Sequence, residues 1–134
     1  MSDLRPTQIK LHKASKRLEV VYADGTRFDL PAEYLRVHSP SAEVQGHGKP
    51  VLVGGKRNVG IDQIQPVGRY AVKLVFDDGH DTGLFSWEVL WNLGIHQSRY
   101  WSTYVQRLDE MRMSRDSEVV KLAALPPKKY TPPS

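Results

Sequence analysis

The sequence predicts an α+β domain, in which a small antiparallel (mixed) β-sheet built from β-hairpins precedes two C-terminal helices. The dipeptides Asp24-Gly25 and Asp78-Gly79 each stand between runs of alternating apolar and polar residues, which is typical of tight hairpin turns. After Ser86 the apolar residues recur instead at helical spacing. We also expect a short helix after the third strand and a disordered C-terminal tail.

The stretch from Tyr70 to Leu93 contains a strand, a turn, a second strand and a helix in one run. Apolar residues occupy alternate positions before the turn, which predicts a strand with one buried face: Val72, Leu74 and Phe76. Asp78-Gly79 supplies the positive φ angles of the turn, and Thr82–Phe85 returns as a short strand. Ser86 is a favourable N-cap for the helix that follows.

The opening half predicts three short strands and a short helix. The strands are Thr7–Leu11, Arg17–Tyr22 and Thr26–Leu30. Pro31 is suited to the first turn of a helix, because its missing N–H has no intrahelical partner there. We therefore expect a helix over Pro31–Arg36.

The polar segment from Ser39 to Pro50 predicts the longest irregular stretch inside the fold. We expect it to be mobile or to contact a partner rather than to take part in catalysis. Farther along, Ile61–Val67 predicts a strand that bends or bulges near Pro66.

Between these segments, Gly54–Asn58 has two interpretations. Two glycines followed by Lys56 and Arg57 are able to cradle an anion with backbone N–H groups. The spacing of a P-loop is missing, however, and no helix is indicated after the glycines. A glycine turn with two solvated basic side chains is the favoured interpretation.

At the C-terminal end, we expect Gly94 to close the first long helix as a left-handed cap. A second helix is predicted over Ser98–Met111, with its apolar residues along one side. The domain organisation that follows is a flexible leader (1–6), a single domain (7–113) and a disordered tail (114–134). Within the tail, Val119–Leu125 forms a short apolar patch of the kind that acts as a docking segment.

Composition limits the classes of function. The formal net charge is +4 and the pI is near 9.4, but the basic residues are dispersed among acidic ones, which indicates a solvated surface rather than a nucleic-acid interface. The sequence contains no cysteine, which excludes disulfides and thiolate ligands and fits a cytoplasmic protein. No apolar run approaches the length of a membrane span, so we expect a soluble protein without a membrane partner.

Only one cluster of residues resembles an acid–base or metal site: His80 with Asp77, Asp78 and Asp81. Adjacent residues on a turn seldom converge on one point, so the favoured alternative is that these side chains satisfy the turn. A triad of Ser86, His80 and Asp81 lacks a nucleophile elbow. We therefore expect no catalytic residues, no cofactor and no small-molecule substrate.

Three segments resemble a known family: LRxxSPSAEVQGHG from Leu35, IxPVGxYAV from Ile64 and FDDGHxxGxFSWxxL from Phe76. The family consists of small bacterial proteins of unassigned function and is similar to the N-terminal domain of gamma-butyrobetaine hydroxylase. The resemblance covers Thr7 to Trp101 and implies a compact α+β domain with an antiparallel sheet.

The resemblance also implies the position of a lost zinc site. In the hydroxylase domain, three cysteines and one histidine hold zinc. The cysteine positions fall here at Ser39, Ser41 and Val44, and the histidine position falls at His80. Because hydroxyls and a valine do not replace thiolates in a closed tetrahedral site, zinc is not carried over. The catalytic domain of the hydroxylase has no counterpart here, so its hydroxylation reaction is not carried over either.

These considerations predict a non-catalytic module that binds a protein partner. A similar domain occurs at the end of a chloroplast P-loop ATPase that resembles iron–sulfur cluster carriers, which implies a link to iron–sulfur cluster assembly. The predicted partner surface joins the Ser39 segment to the His80 turn: Ser39, Ser41, Val44, His47, Asp78 and His80. The first alternative is a metal-binding module at the degenerate zinc site, with His38, His47 and His80 as weak ligands. The second alternative is a nucleic-acid-binding domain.

Overall fold

A computed structural model gives the structure of residues 4–39, 52–80 and 83–116. Six strands and three helices follow one another along these residues. They are β1 (Gln8–His12), β2 (Arg17–Val21), β3 (Arg27–Pro31), α1 (Ala32–Val37), β4 (Ile61–Val67), β5 (Ala71–Phe76), β6 (Gly83–Ser86), α2 (Trp87–Ile95) and α3 (Gln97–Glu110).

The strands form two antiparallel sheets, each with three strands in sequence order. In the first sheet, β2 lies between β1 and β3, with Leu18 opposite Leu30. In the second, β5 lies between β4 and β6, with Leu74 opposite Gly83. The α+β class, the short helix after the third strand and the two later helices are therefore confirmed, and the strands divide between two sheets.

The main core lies between the sheets and is closed by α1 and α2. Its fully buried side chains come from both sheets and both helices: Leu18, Leu30, Leu35, Leu74, Phe85 and Leu90. Burial of apolar area on this scale is the main stabilising contribution to a domain of this size. A smaller cluster of Val37, Tyr104 and Leu108 attaches α3 to the end of α1.

Local signals in the sequence placed the turns and one helix start correctly. Gly25 has φ +91° and Gly79 has φ +92°, values that L side chains rarely adopt. The Ser86 hydroxyl accepts a hydrogen bond from the Val89 N–H at 3.1 Å, so the predicted N-cap of α2 is confirmed.

Two local predictions were wrong. Helix α2 continues through Gly94 to Ile95, and Gly94 instead makes room for a ring, since a Cβ there would lie 2.2 Å from the Phe28 Cδ2 atom. The irregularity in β4 falls between Ile61 and Gln63 rather than at Pro66, which pairs with Val72 in register. Proline fits there because β4 is an edge strand of its three-stranded sheet.

The folded part of the chain extends beyond the predicted boundary at residue 113. The Gly55 N–H donates to the Ser114 carbonyl at 2.8 Å, and the Arg57 N–H donates to the Arg115 carbonyl at 2.9 Å. The Arg115 guanidinium also forms two hydrogen bonds with the buried Glu33 carboxylate, at 2.7 and 2.8 Å. Residues 114–116 are thus attached to the domain, and 117–134 lie outside the described residues.

Within 4–39, 52–80 and 83–116, no helix combines the length and the apolar character needed to cross a membrane.

Candidate functional site

The turn between β5 and β6 is joined to two other parts of the chain through Asp78. One carboxylate oxygen accepts the backbone N–H of His80 at 3.0 Å, which is a local bond within the turn. The other oxygen lies 2.8 Å from the Arg36 Nε atom of α1 and 2.6 Å from the Lys56 Nζ atom of the glycine loop, residues 54–58. A single carboxylate therefore connects a hairpin, a helix and a loop.

These contacts determine the charge of Asp78. Burial alone would raise the pKa of this carboxyl, but the hydrogen bonds from Lys56, from the His80 N–H and from Arg36 together lower its pKa to about 2. Asp78 is consequently ionised at neutral pH and is already bonded to two cations. It acts as an acceptor for these groups rather than as a proton donor.

His80 is joined to the end of α1 through Ser39. The Ser39 Oγ and His80 Nε2 atoms are 3.0 Å apart, and Ser39 has only 2% of its surface exposed. The His80 carbonyl also accepts the Phe76 N–H at 2.9 Å, which closes the hairpin. The structure therefore brings together three of the residues predicted for the partner surface: Ser39, Asp78 and His80. We call this arrangement, with Arg36 and Lys56, the Asp78 junction.

The other predicted site residues do not join this group in the described structure. The His38 Nδ1–H donates to the Tyr34 carbonyl at 2.8 Å, and its ring stacks on Tyr100 with centroids 6.1 Å apart. Burial lowers the pKa of His38, although the bond to Tyr34 opposes this effect. His38 thus belongs to an aromatic cluster against α3. Ser41, Val44, His47 and Asp81 lie outside the described residues.

The Ser39–His80 contact lies at the position of the lost zinc site, so it shows whether the residues present here would fit a zinc ion. These two residues occupy one cysteine position and the histidine position, and they lie within hydrogen-bond distance of each other. A serine hydroxyl is a poor substitute for a thiolate ligand, however. In the three described ranges, no group of three or more histidine, aspartate or glutamate side chains is arranged to hold a metal ion. The described residues therefore do not fit a zinc site.

A serine and a histidine in contact also resemble an activated nucleophile with its base. Here the serine is buried, so its hydroxyl is poorly placed to meet a substrate. The other serine considered, Ser86, uses its hydroxyl to cap α2.

The anion-binding interpretation of Gly54–Asn58 is not supported. The N–H groups of Gly55 and Arg57 already donate to the carbonyls of Ser114 and Arg115. Lys56 is paired with Asp78, and Arg57 is paired with Asp116. The glycine turn that the sequence favoured is therefore the better description, although its basic side chains form ion pairs.

Two contributors to the junction were missed by the sequence reasoning. Arg36 was assigned only to a helix and Lys56 only to a turn, and they lie far along the chain from Asp78. One signal was available for Arg36, because it belongs to the Leu-Arg pair that begins the first resembling segment. No local pattern marks Lys56 as a partner of Asp78.

Comparison with known proteins now decides the family. The family model described as gamma-butyrobetaine hydroxylase-like, N-terminal matches residues 9–91. The chain belongs to the gamma-butyrobetaine hydroxylase-like N-terminal family. The matched range spans both sheets, α1 and most of α2, so it includes Arg36, Lys56, Asp78 and His80. The resemblance stated from the sequence is confirmed.

Solved structures agree with this family assignment. One protein with a solution NMR structure is 52% identical, with a TM-score of 0.78, and the match covers 87% of this chain and 94% of that one. A second NMR structure is 48% identical, with a TM-score of 0.75 and coverage of 98% and 99%. A crystal structure from Acidithiobacillus ferrooxidans is 41% identical, with a TM-score of 0.60 and coverage of 69% and 98%; it is described as a DUF971 family protein of unknown function. No curated protein matches the chain.

Proposed function

We propose that this member of the gamma-butyrobetaine hydroxylase-like N-terminal family is a non-catalytic, cytoplasmic module that binds another protein. The observation that supports the proposal is the Asp78 junction. It fixes the His80 turn to Ser39 at the end of α1 by a 3.0 Å hydrogen bond. Side chains already held in position lose less conformational freedom on binding, which favours partner recognition at the junction.

We further propose that the partner belongs to iron–sulfur cluster assembly, and specifically that it is a P-loop ATPase of the cluster-carrier type. Support for this part comes from the similar domain that ends a chloroplast ATPase of that kind. If two modules joined in one chain also work together as separate chains, this module should bind the separate ATPase.

The test is a binding measurement between the purified full chain and the ATPase of the same host. We expect His80→Ala to weaken binding by about tenfold or more, since loss of a central contact commonly costs 1.4 kcal/mol or more. His12→Ala is the matched control, because the His12 ring is likewise held by a side-chain hydrogen bond, to Glu19, but belongs to the first sheet. Both variants should show a cooperative thermal transition.

Two results would overturn the proposal. Equal binding by His80→Ala and the wild type would exclude the junction as the partner surface. Absence of binding by the wild-type chain would exclude the ATPase as the partner. If a different protein bound through the same residues, the protein-binding function would stand and the link to iron–sulfur cluster assembly would be withdrawn.

The metal-binding alternative is supported by one observation, the closeness of Ser39 and His80 at two of the four aligned positions. Metal analysis of tag-free protein tests it directly. We expect the wild type to be substoichiometric in zinc and iron. The variant Ser39→Cys/Ser41→Cys/Val44→Cys should instead take up one zinc per chain. Stoichiometric zinc in the wild type would favour the alternative.

Nucleic-acid binding ranks last. Several basic side chains are already engaged with carboxylates: Arg17, Arg27, Arg36, Lys56, Arg57 and Arg115. Binding to DNA or RNA that falls steeply with salt concentration would revive this alternative.

A further inference from the structure

A groove runs along α3 beside residues 113–116, and we call it the α3 groove. Its apolar lining comes from Trp101, Val105, Leu108 and Met113, and its polar lining includes Arg57, Gln106, Asp109 and Asp116. Its volume is about 780 Å³, and 40% of the Val105 surface is exposed. An apolar segment that entered the groove would remove part of this exposed apolar surface from water.

The chain itself is held at the wall of this groove. The Met113 N–H donates to the Leu108 carbonyl at 2.8 Å, and the Ser114 carbonyl accepts the Gly55 N–H at 2.8 Å. The Arg115 guanidinium then lies 5.0 Å from the centre of the Trp101 ring. Asp116, the last described residue, lines the groove directly. Residue 117 therefore follows directly on a residue that lines the groove.

The next residues in the sequence are mostly apolar, like Trp101 and Val105 in the groove. After Ser117 and Glu118, the sequence reads VVKLAAL from Val119 to Leu125, and Pro126-Pro127 follows. Two connecting residues place Val119 within roughly 10 Å of Asp116, because an extended chain advances about 3.3 Å per residue. The seven-residue segment contains a single charged side chain, Lys121.

We propose that Val119–Leu125 of the same chain packs into the α3 groove and covers Trp101 and Val105. The short connection supports an intramolecular occupant, because a short linker gives an effective concentration of the order of 1 mM. Weak apolar packing is then sufficient, whereas a second copy at micromolar concentration would need a much larger interface. This inference concerns a face separate from the Asp78 junction and does not depend on the proposed partner.

The first experiment uses the full chain with Leu122→Asp and Leu125→Asp combined. These charges should expel the segment, so the backbone amide signals of 101–108 and the Trp101 indole N–H signal should shift in two-dimensional NMR spectra. Thr131→Asp combined with Ser134→Asp is the matched control, because it adds the same charge to the same tail outside the apolar run. Unchanged α3 signals in the first variant, or equal shifts in both, would overturn the proposal.

The second experiment identifies the occupant. Since the chain contains no cysteine, Lys121→Cys provides a single attachment point for a spin label. We expect the label to broaden the amide signals of 101–108, and addition of Leu122→Asp and Leu125→Asp to relieve the broadening. Spin-labelled chains without isotope are then mixed with isotope-labelled chains without spin label. Broadening in this mixture would show that another copy occupies the groove and would overturn the intramolecular proposal.

Discussion

The two Asp-Gly hairpins share a backbone conformation but differ in what surrounds them. Gly25 and Gly79 have φ values of +91° and +92°. In each turn the aspartate accepts a backbone N–H two residues later, from Thr26 at 2.9 Å and from His80 at 3.0 Å. Asp78 additionally binds Arg36 of a helix and Lys56 of a loop. Local sequence therefore builds both turns, whereas contacts with distant cations connect only the second turn to other parts of the fold.

The largest difference between the hairpins is expected from removal of the aspartates. Asp78→Ala should lower the free energy of unfolding by about 2–3 kcal/mol, because it leaves two partly buried cations without their carboxylate. Asp24→Ala should have a clearly smaller effect, since that carboxylate is exposed and serves the turn alone. Urea denaturation of both variants measures the difference. Equal losses would show that the junction adds no stability.

The same contrast should depend on pH. The pKa of Asp78 is about 2 in the folded chain, below the ordinary value of 3.8, so its ionised form favours folding. This contribution is complete above about pH 4 and is lost as the pH falls through about 2. We therefore expect the stability difference between the wild type and Asp78→Asn to shrink over that interval in denaturation curves. A constant difference would contradict the assigned pKa.

Alanine substitutions at the two turn glycines should lower stability equally in the two hairpins. Gly25→Ala and Gly79→Ala should each cost about 1–2 kcal/mol, because both positions have positive φ and a Cβ would meet no neighbour within 4 Å. The expected equality can be checked by thermal denaturation. A markedly larger cost at Gly79 would mean that the junction tolerates less backbone adjustment than the first turn.

The smallest effect is expected at the contact between Ser39 and His80. Ser39→Ala should cost about 1 kcal/mol, the usual net value of one hydrogen bond, because the rest of the junction remains. Urea denaturation again provides the measurement, with Ser39→Thr as a variant that retains a hydroxyl. If Ser39→Ala lowered the free energy of unfolding as much as Asp78→Ala, the Ser39–His80 contact would contribute as much stability as the Asp78 carboxylate.

The features predicted correctly from the sequence are those determined over a few residues. The Asp-Gly turns and the Ser86 cap depend on neighbouring backbone groups, so residue identity and spacing are sufficient to find them. Gly94 shows the limit of such reasoning. A glycine near a helix end suggests a cap, but here the helix continues, because the requirement for glycine comes from the Phe28 ring of another element.

The candidate site was predicted only in part for a related reason. The resemblance aligned Ser39 and His80 with two ligands of one zinc site and so predicted that they are close. The structure places them in contact. Arg36 is separated from Asp78 by 42 residues, and Arg115 from Glu33 by 82. Such ion pairs follow from the packing of whole elements. In the sequence, a basic residue that forms a distant ion pair cannot be distinguished from one that is solvated. The contacts of His38 with Tyr34 and Tyr100, one of them on α3, likewise have no local signature in the sequence.

The short pairing between the glycine loop and residues 114–116 has a consequence for the order of folding. Its ion pair joins Arg57 and Asp116, which are 59 residues apart, whereas each hairpin closes over only a few residues. Closing the longer loop costs more chain entropy, so we expect this contact to form after β4 to α3 have assembled. Interactions made after the folding barrier mainly slow unfolding. We therefore expect the contacts of residues 114–116 to lengthen the lifetime of the folded state while leaving the folding rate nearly unchanged.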